Sequence, residues 1–325
     1  MVIFRVTDRE EGQRIEKFIK KSLPEAPLSY IYKAFRKKDI KVNGHWVKED
    51  FIIHEGDEVK VFVTDEQLND FHKVRPAQKK DLPYQIVYED QNVLLINKPS
   101  GILVIGDHSE TRNTLTQAVL DYLYLKGEFN PNQPSFVPSP AHRLDRNTSG
   151  LVIFGKKDAA LKELERLFKE RDQLDKRYYA LVVGELDGTG TINAPLKKDA
   201  KTGMVSVTPI SKGGKEAKTL WKVVKKYEGY TLLECELITG RTHQIRVHLA
   251  SISHPIVGDE KYGDFADCRK VKKLTGLENQ FLHAYKISFG ELGGTLAPLS
   301  NKEFVSPLPQ DERQIIEKLT SSKLK

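Results

Sequence analysis

Residues 142–148, HRLDRNT, set a His, two Arg and an Asp directly ahead of the apolar run LVIF. A carboxylate that close to a buried strand needs a cationic partner, because burial alone drives it toward the neutral acid. Arg143 could pair with Asp145 in solvent, which would make this an ordinary surface loop of little energetic weight. A second cluster, TGRTHQIRVH at 239–248, offers Arg241 and Arg246, and either could reach Asp145 instead. Paired that way, Asp145 stays anionic at neutral pH, as attack at a sugar carbon or an electron-poor ring carbon requires. Thr148, Ser149 and Gly150 suit a tight turn at the wall of a cleft.

The histidines admit other readings. His243 and His248 invite a metal, but five residues on a helix set them apart in angle and no third ligand is evident, so no metal is expected. His142 reads as a brace for the loop rather than a general base.

The elements that must hold these residues fall into two bodies. In residues 1–64, Ile15, Phe18, Ile19 and Leu23 recur at helical spacing, as do Ile31, Ala34 and Phe35, and DIKVNG and DEVKVFV follow as strands. Residues 65–82 carry charge and a proline without sustained periodicity and read as a linker. From 83 to 325, YQIVYE, VLLINK, LVIF, RYYALVVG, AKTLWKVVKK, YTLLECELI and FLHAYKISFG read as strands. Helices are predicted from Thr114, after Asp158 and, opened by Thr242, over THQIRVHLASI. The Pro-rich NPNQPSFVPSP reads as loop. Few helices separate the strands, so the expected fold class is mixed α/β (α+β) with a largely antiparallel sheet.

Composition narrows the function. The 325 residues are 39% hydrophobic, enough for a large core, and 52 Lys and Arg against 45 Asp and Glu leave a net charge of +7, which suits a polyanionic partner. The two cysteines, Cys235 and Cys268, have neither disulfide-framework nor zinc spacing. Charges interrupt the apolar N-terminus, and no later run approaches the roughly 18 apolar residues of a membrane span. A cytoplasmic protein without membrane association is expected.

Several motifs in order carry a resemblance. HRLDRNTSG resembles the nucleophile signature of the RluA family of RNA pseudouridine synthases, NKPSG at 97–101 its first motif, KRYYALVVG at 176–184 its Tyr-bearing strand and TGRTHQIRVH its third motif. HPIVGDEKYG and FLHAY extend the match, which covers about 83–310. His142 favours this branch over the small-subunit-type synthases. HRLDRNTSG, APLKK and the Gly-Lys-Glu stretch at 214–216 look closest to its RluC subgroup of large-subunit rRNA enzymes. The first body resembles an S4 RNA-binding domain. One departure stands out: after NKPSG the family often has a Val-His pair, whereas this chain reads ILVIGD.

The resemblance implies isomerisation of uridine without a cofactor: the N1 glycosidic bond breaks, the uracil turns, and C5 rejoins C1′. Asp145 would be the catalytic carboxylate, toward the base, toward C1′ or toward a sugar proton. Arg246 would pair with it, and Tyr178 would pack on the target ring. Arg143 would fill the gap left by a flipped nucleotide, with His142 and Arg241 beside the RNA. In the S4-like body Lys33, Arg36, Lys37 and Lys38 would contact phosphates. The implied partner is RNA, chiefly large-subunit rRNA, and the implied state a monomer. The alternatives are a tRNA-directed synthase, a carboxylate-based nucleosidase and a non-catalytic S4-type RNA-binding or ribosome-assembly protein.

Overall fold

The computed structural model describes residues 1–8, 10–23, 26–71, 82–106, 113–130, 136–170 and 172–321. The chain divides into two compact units, one built on Met1–Gln78 and the other on Lys79–Phe129 and Ser135–Lys325.

The first unit runs β1 (Val2–Arg5), α1 (Ile15–Ser22), α2 (Leu28–Arg36), β2 (Ile40–Val42), β3 (His45–Trp46), β4 (Glu58–Val61) and α3 (Asp65–Phe71). Its strands form an antiparallel sheet in the order β1-β4-β2-β3. The helix pair presents Ile15, Phe18, Ile19, Ile31, Ala34 and Phe35 to this sheet's Ile40, Val42, Val59 and Val61. The expected boundary near 64 needs correction. Residues 65–71 are helical, and Leu68 and Phe71 pack on this core, with the Phe71 ring 4.4 Å from that of Tyr30. An acidic first turn, Asp65 and Glu66, favours the helix start. The rest of the expected linker, 72–81, lies outside the described residues, as do 131–135 of the Pro-rich loop and 107–112 after the ILVIG segment.

The second unit runs β5 (Gln85–Glu89), β6 (Val93–Lys98), α4 (Leu115–Leu125), β7 (Ser139–Pro140), β8 (Ser149–Gly155), α5 (Asp158–Glu170), β9 (Leu174–Val183), β10 (Thr189–Asn193), β11 (Leu196–Lys198), β12 (Val205–Val207), β13 (Lys218–Tyr227), β14 (Tyr230–Leu237), α6 (Gln244–Ser251), α7 (Phe265–Thr275), β15 (Leu282–Phe289), β16 (Glu303–Val305) and α8 (Gln310–Ser321). The main sheet has the order β10-β13-β14-β9-β15-β8-β6-β5, with β7 beside β8 and β16 beside β15. Only β15 and β8 pair in parallel among its described ladders, so the sheet is mixed and largely antiparallel, as expected.

Both faces of its β6–β8 half are covered. Leu94, Ile96, Val152 and Phe154 pack with α4, α6, α7 and α8, while Val93, Leu95, Leu151 and Ile153 pack with α5 and the 3₁₀ turn at 294–299. β8 is therefore buried at every position, which explains its continuous apolar run. Its entry is tight: at Gly150, with φ +112°, a Cβ would collide with the Ala284 carbonyl of β15. Only glycine permits that approach.

Two helix starts differ from expectation. The helix expected from Thr114 is α4, which starts at Leu115 with Thr114 as its cap, accepting from the Gln117 amide, but Asp158 is the first residue of α5 rather than its cap. Thr242 does not open α6. The N-cap is His243, in the left-handed region at φ 52°, without a capping side-chain bond. Gln244 organises this turn instead: its Oε1 accepts from Thr239 and the Arg241 amide, and its Nε2 donates to the Lys218 carbonyl and the Thr219 hydroxyl.

Candidate active site

The HRLDRNT loop enters β8 at one wall of a cleft of about 900 Å³, lined among others by Arg143, Asp145, Tyr178, Arg241, His243, Arg246 and Lys261. The size falls in the range of small-ligand pockets. Asp145 pairs with Arg246, whose Nη1 donates to Oδ2 at 2.9 Å across 101 residues of sequence. Arg241 is turned elsewhere, its Nε donating to the Glu216 carbonyl, and Arg143 is exposed. Of the cations considered for Asp145, Arg246 is thus the one bonded to it.

Arg246 is itself held from behind. Its Nε and Nη2 donate to the two oxygens of Asp259 at 2.7 and 2.8 Å, and Asp259 also accepts from the amides of Lys261 and Tyr262. These carboxylates raise the guanidinium pKa against the effect of burial. Asp259 lies in HPIVGDEKYG, yet its role had no signal beyond an acid near a glycine. It is also the second carboxylate that a nucleosidase would need, but at 1% exposure it is committed to Arg246.

Asp145 is 26% exposed and lines the cleft, with Oδ2 anchored by Arg246 and Oδ1 without a bonded partner among the described residues. Tyr178 lies on β9 between β14 and β15, buried, with Lys176 on the same cleft-lining face. Strand alternation puts Tyr179 on the other face, stacked on Tyr285 at 3.9 Å.

The pattern of the RNA pseudouridylate synthase family matches residues 92–251. Along nearly the whole chain, the ribosomal large subunit pseudouridine synthase C of Vibrio cholerae is 35% identical over 318 residues, 95% of this chain and 93% of that one. The chain belongs to the RNA pseudouridylate synthase family. The enzyme of the same designation from Escherichia coli K12 is 34% identical over 295 residues, 90% of this chain and 89% of that one. A solved structure, human RNA pseudouridylate synthase domain containing 4, shares the fold with a TM-score of 0.58 at 23% identity, over 79% of this chain and 98% of that one. As a pseudouridine synthase of the RluA type, the protein isomerises uridine to pseudouridine in RNA.

Around this synthase centre three further residues are fixed tightly. Lys98, which ends β6 in NKPSG and was not singled out in the sequence, is fully buried. Its Nζ donates to the carbonyls of Pro99, Ile102 and Arg146, tying the first motif to the Asp145 loop. Burial draws its pKa down to about 7, opposed by the Asp145 carboxylate. His142 stacks on Phe168 at 4.4 Å and accepts the Ile153 amide, which makes it a brace for the loop. His248 spends its nitrogens on Thr219 and the Ala194 carbonyl, pinning α6 to the sheet.

In the first unit Lys33, Arg36, Lys37 and Lys38 are all exposed at the last turn of α2 and just beyond. Lys38 adopts φ 62° and lies 4.8 Å over the exposed Trp46 ring. None of the described helices is long and apolar enough to cross a membrane.

Proposed function

We propose that this synthase converts specific uridines of large-subunit ribosomal RNA to pseudouridine, with Asp145 as its catalytic carboxylate. The observation that carries the assignment is the single anchored oxygen: Arg246 holds Oδ2 of a partly exposed carboxylate that lines the cleft, and leaves Oδ1 unbonded among the described residues. The substrate reading rests on the two relatives named as large-subunit enzymes. In this reading the C1′–N1 bond breaks with its electron pair on the uracil, the ring turns, and C5 bonds to C1′. The C5 proton then leaves and N1 gains one, so the isomerisation balances without a cofactor.

Tyr178 packs against the turning base, and Arg143, exposed beside Asp145, occupies the gap in the stack from which the uridine has flipped. His142 and Arg241 shape the loops on either side of the RNA. The N-terminal unit acts as an S4-type module whose Lys33, Arg36, Lys37 and Lys38 engage phosphates. The protein works as a monomer in the cytoplasm.

The test is site-resolved pseudouridine mapping of rRNA and tRNA from cells lacking the gene, complemented with wild type or Asp145→Asn. Large-subunit positions restored only by wild type are the expected result. Restoration by Asp145→Asn would remove Asp145 from the chemistry, and changes confined to tRNA would overturn the substrate.

A further inference from the structure

His243 is the residue around Asp145 whose placement the pairing with Arg246 does not explain. It is a non-glycine residue at φ 52°, in the left-handed region that costs most side chains free energy. Its ring lines the same cleft wall, with Nε2 3.8 Å from Asp145 Oδ2 and Nδ1 2.7 Å from the Tyr262 hydroxyl.

The proton positions follow from the partners. Tyr262 Oη accepts the Val205 amide at 3.1 Å, and among the described residues its own proton has no acceptor other than His243 Nδ1. A ring that accepts at Nδ1 carries its proton at Nε2, the nitrogen that faces Asp145. The same phenol lies beneath the Arg246 guanidinium at 5.1 Å, so one tyrosine packs against both donors.

We propose that His243 is a positioning residue for the catalytic carboxylate: fixed as the Nε2–H tautomer by Tyr262, it is the second donor, beside Arg246, on Oδ2 and keeps Oδ1 as the reacting oxygen. The inference rests on the assignment of Asp145 as the catalytic group. The present 3.8 Å is about 1 Å longer than a hydrogen bond, and such contacts tighten when substrate closes a site.

Asp145, Arg246, Lys261, Asp259 and Tyr262 face His243 among the described residues. Burial lowers its pKa, opposed by Asp145 and reinforced by Arg246 and Lys261, so the ring is neutral at neutral pH and gains charge only in acid. Once protonated, it would draw electron density from the carboxylate and slow the reaction.

The experiment compares wild type, His243→Gln, His243→Ala, Tyr262→Phe and the Tyr262→Phe, His243→Ala double variant. Each is measured for single-turnover rate at saturating unmodified large-subunit rRNA transcript, for transcript affinity, and for the rate across pH. His243→Ala is expected to lose about 10²-fold in rate at unchanged affinity, in line with the loss of one preorganised donor. His243→Gln, which retains an N–H donor, should recover part of that rate, and its acid limb should move to lower pH. The double variant should be no slower than His243→Ala alone, because Tyr262 acts through the histidine.

Weaker RNA affinity with an unchanged saturated rate would make His243 an RNA contact and overturn the proposal, as would additive losses in the double variant or an unshifted acid limb. If His243→Ala fails to fold, the Gln and Phe variants still decide the matter through rate, affinity and pH profile. A wild type that modifies no transcript uridine would instead refute the functional assignment itself, a result distinct from all of these.

Discussion

Arg246 and Asp259 meet through two parallel hydrogen bonds, Nε to Oδ2 at 2.7 Å and Nη2 to Oδ1 at 2.8 Å, in a setting where Asp259 is almost wholly enclosed. A guanidinium held along one edge can present its other edge in a single direction, and that direction is Asp145. The bidentate geometry matters more here than the charge, because a lysine ammonium could not grip one carboxylate squarely and reach the other.

Asp259→Asn is therefore expected to cost stability and turnover together. Removing one partner of a buried ion pair costs about 3 kcal/mol, read as a lower denaturation midpoint. Arg246→Lys should reduce the single-turnover rate by about 10²-fold or more. Near-wild-type rates in both variants would show that Asp145 does not depend on this clamp.

Lys98 joins the first motif to the Asp145 loop through three carbonyls, and each loses a charged donor at a buried ammonium when the lysine is removed. Lys98→Met fills similar space without a donor, so a loss of roughly 3 kcal/mol in unfolding free energy is expected. Turnover should fall as well, because Arg146 O, one of the three acceptors, belongs to the residue after Asp145. Chemical denaturation and single-turnover assays on the same preparation check both effects.

Much of this arrangement was legible in the sequence, for identifiable reasons. β6, β8, β9, β14 and β15 carry long apolar or β-branched stretches because they occupy the middle of a covered sheet. Tyr178 and Tyr179 on opposite faces follow from strand alternation alone. Residue types alone left Arg241 and Arg246 open and only the family resemblance pointed to Arg246, since the pairing spans 101 residues and depends on Asp259 behind it. α7 was missed although Asp264 caps it and Gly276 ends it in the left-handed conformation, because its interior, FADCRKVKKLT, has few apolar positions. Lys98 was not singled out, because nothing in the residue types marks it as buried on three converging carbonyls. The left-handed His243 defeats a capping rule based on Ser and Thr, because α6 begins without a side-chain cap and Gln244 instead ties down the turn before it through Thr239 and the Arg241 amide.

The basic end of α2 should act on affinity and leave the chemistry intact. Replacing Lys33, Arg36, Lys37 and Lys38 with Ala or Gln removes charges that are exposed in the folded unit, so stability should change little. If they engage phosphates, the slope of log affinity against log salt should decrease by about 1 for each phosphate that is no longer neutralised. The single-turnover rate at saturating RNA should stay at the wild-type value. An unchanged salt slope would place the RNA-binding surface elsewhere.

Helix α8 is fastened to β8 by a buried trio that titrates. Ser149 Oγ lies 2.7 Å from Glu312 Oε1 and 2.8 Å from His283 Nδ1, while His283 Nε2 lies 2.9 Å from the Ser306 carbonyl. His283 Nε2 must donate to that carbonyl, so a neutral ring accepts at Nδ1. The one Ser149 proton then goes to the histidine, and Glu312 must be the acid that donates to Ser149. Burial supports this assignment, raising Glu312 to about 7 and lowering His283 to about 4. For Glu312 the native state holds a proton that the unfolded chain releases above about pH 4.3, so its stabilisation fades as pH rises to about 7. For His283 the unfolded chain binds the extra proton below about pH 6.5, so its contribution fades as pH falls toward about 4. Over their shared range the two slopes oppose each other, and wild-type stability should vary little through this pair. Glu312→Gln keeps a neutral donor at every pH and exposes the histidine slope. Relative to wild type it should gain stability by up to about 1.4 kcal/mol per pH unit between roughly pH 4.5 and 7. Denaturant titrations of both proteins across that range, with a difference that stays flat, would show Glu312 to be ionised in the fold and the proton order in the trio to be reversed.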